Sequence, residues 1–421
     1  MTPKRGYGRR TGSMDALMTV GARNAAAQGI SRRDFLRRVG GAGAVMLGGP
    51  ALLSACGIEG TAETSATTAA GSSGSTAAAG GSNQLFVDNW ILYIDTTEDS
   101  PDGTSTIDEF QAESGIEVTY TEGVNSNEEW FGKYQAQLGA GQATGFDIVV
   151  LTDYMAARML RLGYAEQIDK ANVPNAVNLV DALKSPSFDP ERDFTMPWQS
   201  GFTGLAYDTD QTGGELDSWE AIRDPKFKGK VGLIGGYPDS IGVILLMQGK
   251  DPSTASLDDM LGAADELAKL VSDGQLRQVY GNEYIDELIA GNLAVTAGWS
   301  GDIFANQEDS PNLQFAFPQE GVMIWTDNML IPKGAANKAN AEKWMDFYYR
   351  PAVAAELAYW VWYVSPVAGA QEAMADIDEE FVDQPLIFPD EATLSQSYIF
   401  RALDETEETT LNEAVAEATG V

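Results

Sequence analysis

Trp325 and Asp327 stand two apart in residues 323–328, Met-Ile-Trp-Thr-Asp-Asn. In an extended segment side chains alternate with period two, so both would leave one face. An aromatic ring attracts a cation through its quadrupole, and a carboxylate attracts it by charge. Together they suit an organic ammonium. A core tryptophan beside a loop aspartate has the same signature, so the rest of the chain must decide. Much other chemistry is excluded. The chain has no histidine, which removes Ser-His-Asp and Cys-His catalysis and the usual zinc sites. Cys56 is the only cysteine, so no internal disulfide forms. The sequence shows no metal-spaced carboxylate cluster and no phosphate loop. The Gly-X-Gly at 41–43 lacks the preceding strand that a nucleotide loop needs. No cofactor and no metal are expected, and an enzyme would have to work with carboxylates, Lys or Tyr.

The elements that would position these residues alternate. Residues 84–90 open with Leu85, Phe86 and Val87, a short buried strand. Residues 106–114 read as a helix that Gly115 stops. Residues 116–120 alternate as a strand, and 127–138 carry Trp130, Phe131, Tyr134 and Leu138 at helical spacing. Residues 147–151 are a near-continuous apolar run, as in a strand buried on both faces. The turn Thr152-Asp153-Tyr154 follows, and 155–162 is a helix. Strands alternating with helices predict a doubly wound α/β sheet, whose ligands bind beyond the carboxyl ends of strands. Trp90 and the turn at 152–154 lie at two such ends. Glycines in 197–208, with a short strand at 205–207, suit a crossing between lobes. Further strands are expected at 231–234, 294–299 and 313–317. Further helices are expected at 239–248, 257–271, 283–290, 340–349 and 351–359. Residues 405–417 read as an acidic, solvated helix.

Residues before Gln84 read differently. Ser31-Arg32-Arg33-Asp34-Phe35-Leu36 is a twin-arginine pattern, followed by an apolar run too short to span a membrane. Leu53-Ser54-Ala55-Cys56 resembles a bacterial lipoprotein box, which implies cleavage before Cys56 and lipid on its thiol. We expect a signal peptide over 1–55 and a flexible Gly/Ser/Thr/Ala tether over 56–83. The mature protein would sit on the extracytoplasmic face of the cell membrane. Nine of the 27 basic and two of the 62 acidic residues precede Cys56. That leaves 18 against 60, a net charge of −42 from Cys56 on. Such a surface repels nucleic acid and draws cations, although solubility in a salty medium is an equally simple reason for it.

From Gln84 to about Arg401 the landmarks resemble, in order, the spermidine/putrescine-binding proteins of polyamine ABC transporters. Asn89-Trp90 with Tyr93 resembles the family's opening Asn-Trp-x-x-Tyr, and 147–154 its Asp-Leu-Val-Val-x-Ser-x-Tyr. Phe188-Asp189-Pro190 with Pro197 resembles the approach to its first crossing. Ser218-Trp219 with Lys228-Gly229 resembles its Ser-Trp…Lys-Gly. Trp299, Trp325-Thr326-Asp327, and Tyr363 before Ser365-Pro366 complete the match. The resemblance implies a two-lobed type II periplasmic-binding fold, two doubly wound α/β lobes joined by hinge strands. Lobe 1 would take 84–201 and 327–373, and lobe 2 would take 202–326 and 374–421. It implies a monomeric, non-enzymatic receptor that hands a polyamine or related organic cation to an ABC permease. The implied contacts are Trp90, Tyr93, Thr152, Tyr154, Asp239, Trp299, Trp325, Asp327 and Tyr363.

Departures from the family pattern shape the expectation. Polar positions after its first tryptophan are Ile91 and Leu92 here, and an acidic pair falls on Gly235 and Gly236. A glutamine position falls near Phe400 or Arg401. Carboxylates are thus expected to be scarce at one end of the cleft, where only Asp239 remains nearby; Asp153, in an alternating turn, either compensates or points away. One ammonium held strongly at Asp327 and the other more loosely would suit a ligand with one strong cationic end, or a diamine over a triamine. The competing readings are the same fold holding another small cationic or metal solute, and a hydrolase using Asp239 and Asp327.

Overall fold

The computed structural model describes residues 82–97, 103–307 and 309–420. The expected signal peptide, Cys56 and the tether as far as residue 81 lie outside the described residues. The described strands are β1 (Gln84–Trp90), β2 (Glu117–Val124), β3 (Ile148–Thr152), β4 (Thr195–Asp208) and β5 (Val231–Ile234). Then come β6 (Leu276–Tyr280), β7 (Val295–Trp299), β8 (Leu313–Ala316), β9 (Val322–Leu330) and β10 (Ser397–Tyr398). They form one sheet in the order β2-β1-β3-β9-β4-β7-β5-β6, with β8 beside β4 and β10 beside β9.

Two parallel sub-sheets are tied together by the long strands β4 and β9. β1 pairs in parallel with β2 and β3, and β5 with β6 and β7. β3 meets β9 antiparallel from Val149↔Leu330 to Thr152↔Asp327. β4 runs antiparallel to β9 from Thr195↔Leu330 to Thr203↔Met323, and beyond that point pairs with β7 and β8. Each of the two strands therefore starts in one half of the molecule and ends in the other. The sequence reading places only 205–207 of β4 in a strand. The glycines in 197–208 are expected at a crossing between lobes, and all 14 residues of β4 form one buried strand there. Pro197 sits beside a register shift, where its missing N–H breaks no regular ladder.

The buried apolar residues divide accordingly. One core gathers residues from Leu205 to Met323 together with Leu403, Leu411 and Ala418. On the other side two clusters gather Leu85 to Trp198 and Met329 to Ile387. Met374, Phe381 and Ile387 pack with this first-lobe core, beyond the expected boundary at 373. Capping chemistry fixes several helix ends. Ser105 and Asp108 form a capping box at Thr106–Ser114, and Gly115 ends that helix at φ 69°. Helix 153–161 begins at Asp153, so the expected turn at 152–154 is already the first helical turn.

One expectation is corrected. The C-terminal helix Glu405–Thr419 is not simply a solvated face. Leu411 is fully buried in the second core, and Glu408 is only 5 % exposed. Its acidic composition hid an apolar stripe that packs along helix Leu257–Ser272.

Candidate ligand-binding cleft

A cavity of about 570 Å³ opens between the two halves, directly over the crossing of β4 and β9. All nine residues singled out in the sequence line it: Trp90, Tyr93, Thr152, Tyr154, Asp239, Trp299, Trp325, Asp327 and Tyr363. That volume is in the usual range for a small-molecule site.

The floor is Asp327. β9 is extended there, so Trp325 and Asp327 do share a face. Asp327 is 4 % exposed. Its Oδ1 accepts from the Thr152 hydroxyl at 2.7 Å, and its Oδ2 from the Tyr93 hydroxyl at 3.0 Å. Burial pushes this carboxyl up to about 7, against the pull of those two hydrogen bonds. Burial and the Asp327 charge together push the Tyr93 hydroxyl well above its ordinary value, so it remains a donor. A carboxylate removed from water with only neutral donors around it lacks a counter-charge.

The walls are aromatic. Tyr363 stands edge-on to Tyr93 at 5.4 Å and tilted against Trp325 at 5.5 Å. Two glycines make room for these rings. A methyl at Gly201 would come within 2.4 Å of Trp325 Cζ2, and one at Gly301 within 2.6 Å of Tyr363 Cζ. Leu92 at φ 56° and Trp362 at φ 64° are left-handed, and each immediately precedes a cleft tyrosine. Side-chain-bearing residues rarely adopt that conformation. Trp362 ends helix Pro351–Val361, and the change of direction there delivers Tyr363 to the cavity.

The opposite wall carries more acid than the sequence suggested. Asp239 lies in the first turn of helix Tyr237–Met247 and accepts from the Thr203 hydroxyl of β4. Burial pushes it up to about 7; bonds from Thr203 and the Trp299 indole oppose this, and the Glu128 charge adds to it. Asp302 also lines the cavity, accepting from Tyr284 at 3.0 Å and Tyr363 at 3.2 Å. Glu128 lines the rim and accepts from Tyr154 at 2.7 Å. Sequence reasoning missed both as site residues. The expected shortage of carboxylates near Gly236 is therefore made up from neighbouring helices, with the Tyr154 hydroxyl occupying the space beside Gly236. Asp153 is held differently. It accepts from Asn328 Nδ2 at 2.8 Å, and Asn328 Oδ1 accepts from Arg192 at 2.8 Å. Burial raises Asp153 to about 6, while Asn328 and the Arg192 charge hold it down.

The cavity is thus lined by five carboxylates, Glu128, Asp153, Asp239, Asp302 and Asp327, and among the described residues by no Lys or Arg. Among the same residues no cluster of His, Cys, Asp or Glu could hold a metal ion. Nor is any helix there long and apolar enough to cross a membrane.

A two-lobed sheet with a ligand-sized cleft over its crossing strands defines a solute receptor of the periplasmic-binding type. The chain belongs to the bacterial extracellular solute-binding protein family, whose model matches residues 105–389. It is 31 % identical over 326 residues to the putrescine-binding periplasmic protein PotF of Escherichia coli, covering 72 % of this chain and 83 % of that protein. It is 26 % identical over 323 residues to spermidine/putrescine-binding periplasmic protein 1 of Haemophilus influenzae, covering 76 % and 85 %. A solved structure from Listeria monocytogenes, designated a spermidine/putrescine ABC transporter, is also similar. It superposes with a TM-score of 0.68 at 28 % identity, over 80 % of this chain and 99 % of that one.

Proposed function

We propose that the protein captures a polyamine of the putrescine/spermidine class in this cleft and delivers it to an ABC importer, acting by binding and without covalent chemistry. The observation that carries the reading is the lining of five carboxylates and no Lys or Arg, set among tryptophan and tyrosine faces. An alkyl chain needs apolar faces, and each of its ammoniums needs an acceptor once water is removed. Desolvated cation–π contacts contribute roughly 0.5–2 kcal/mol each. The names of the similar proteins support the same ligand class.

In this reading Asp327 anchors one ammonium with Tyr93 and Thr152 behind it. Trp90, Trp325 and Tyr363 flank the methylenes. Asp239 and Asp302, beside Trp299, receive the other end, and Tyr154 closes the rim. The first lobe comprises 84–201 and 327 to about 388. The second comprises 202–326 and the remainder to 421. Residues 1–55 direct export, Cys56 carries the lipid anchor, and the tether leaves a monomeric receptor free to reach its permease.

A thermal-shift panel of putrescine, spermidine, spermine, agmatine, amino acids and ferric ion tests this. A ligand at a hundred times its dissociation constant stabilises by about 2.7 kcal/mol. A polyamine should give the largest rise in melting temperature. A response confined to amino acids or ferric ion would overturn the proposal.

A further inference from the structure

The lobes meet at the rim through more than the crossing strands. Arg158 and Arg161 lie on helix Asp153–Arg161, whose Met155, Ala156 and Met159 belong to the first-lobe core. Glu408 lies on helix Glu405–Thr419, whose Leu411 and Ala418 belong to the second. Arg158 donates to Glu408 Oε1 from Nε at 3.1 Å and from Nη2 at 2.7 Å. Arg161 Nη2 donates to Oε2, and its Nη1 to the Leu403 carbonyl at 3.1 Å. The side chains of Glu408 and Arg158 are 7 % and 14 % exposed, and the Phe131 ring backs Arg158 at 5.1 Å.

This ion cluster is continuous with the cleft wall. The Tyr237 hydroxyl reaches Glu408 Oε1 at 3.4 Å, and the Tyr237 ring stands edge-on to Tyr154 at 5.3 Å. Tyr154 in turn donates to Glu128 at the rim. We propose that Glu408, gripped by Arg158 and Arg161, is an interlobe clasp: a positioning residue that holds the rim closed over the ligand and sets its rate of release. Its chemistry suits a reversible fastening. Closing strips water from the charges and returns hydrogen bonds of fixed geometry, so the two large contributions nearly offset. Losing Glu408 strips Arg158 of its carboxylate and leaves Arg161 with the Leu403 carbonyl, which favours the hydrated, open arrangement.

The inference rests on reading the cleft as a closing receptor, so the test begins without ligand. Spin labels at Gln137→Cys and Lys269→Cys, one exposed site per lobe, in the full chain carrying Cys56→Ser, report interlobe distance by pulsed electron resonance. Glu408→Gln should lengthen and broaden the ligand-free distances. Arg161→Ala, which removes a more exposed partner, should do so to a lesser extent; it decides the matter if Glu408→Gln does not fold. Putrescine release measured by stopped flow should accelerate roughly tenfold in Glu408→Gln. Glu407→Gln, which breaks a pair with Arg401 inside the second lobe, should change neither readout. Folded Glu408→Gln and Arg161→Ala variants with wild-type distances would overturn the clasp. If putrescine does not bind, the distances still decide the clasp, and the failure falls on the ligand assignment.

Discussion

Burial makes Asp327 costly to the empty protein, and the proposed ammonium contact would offset that cost in the loaded one. Its folded-state pKa of about 7 lies above its ordinary 3.8. The native state therefore holds the proton more tightly, and its stability contribution, complete below pH 4, is lost as pH rises to about 7. The difference corresponds to about 4 kcal/mol. Asp327→Asn should raise the melting temperature of the ligand-free protein at pH 8 and change it little at pH 4. The same variant should weaken polyamine binding by roughly two orders of magnitude or more, because an ammonium loses its buried counter-charge. Affinity should also climb from pH 5 to about pH 7 and then level off, as Asp327 and Asp239 give up protons while amines remain charged. Calorimetry across that range checks it; a flat profile would show that neither acid takes part. Trp325 and Asp327 were legible in the sequence because strand periodicity is local. Asp302 and Glu128 were not, since each reads as an ordinary first-turn helix acid, and only tertiary placement turns it into the cavity. Asp302 did leave one signal, lying three residues beyond Trp299 at the carboxyl end of β7.

At the scale of elements, the crossing of β4 and β9 shapes the cleft. Gly201 faces Trp325 across that pair. Gly201→Ala should destabilise by roughly 1–3 kcal/mol in denaturant unfolding, as overpacked sites do. It should also weaken ligand binding by displacing the Trp325 and Tyr363 rings. Unchanged stability and affinity would mean those rings yield freely. The strand was only partly legible because glycine and proline are poor strand formers, so only 205–207 carried a strand pattern. Its glycines and proline are there for close ring approach and a register shift. The parallel strands β1, β3, β5 and β7 were easier, since short apolar runs between helical patterns carry their own signal. The C-terminal helix was found but misread, because its many exposed acids outweigh the few residues, Leu411 and Glu408 among them, that do the packing.

At the scale of the molecule, a net charge of −42 from Cys56 on surrounds an acidic cleft. Long-range attraction should speed the encounter with a cationic ligand, and salt should screen it. Association of putrescine should therefore slow several-fold between about 0.05 and 0.5 M NaCl; an unchanged rate would assign the charge to solubility alone. The two-lobed architecture was legible from the order of landmarks along the chain, whereas the packing of Phe381 and Ile387 with the first core was not. One titration tests polyamine capture at Asp327 most directly: putrescine and spermidine added by calorimetry at pH 7.5 to the wild-type chain and to Asp327→Asn. At least one of them should bind saturably, with affinity weakened roughly a hundredfold or more by the substitution. Absence of binding to both, or affinity undiminished in Asp327→Asn, would contradict capture at that residue.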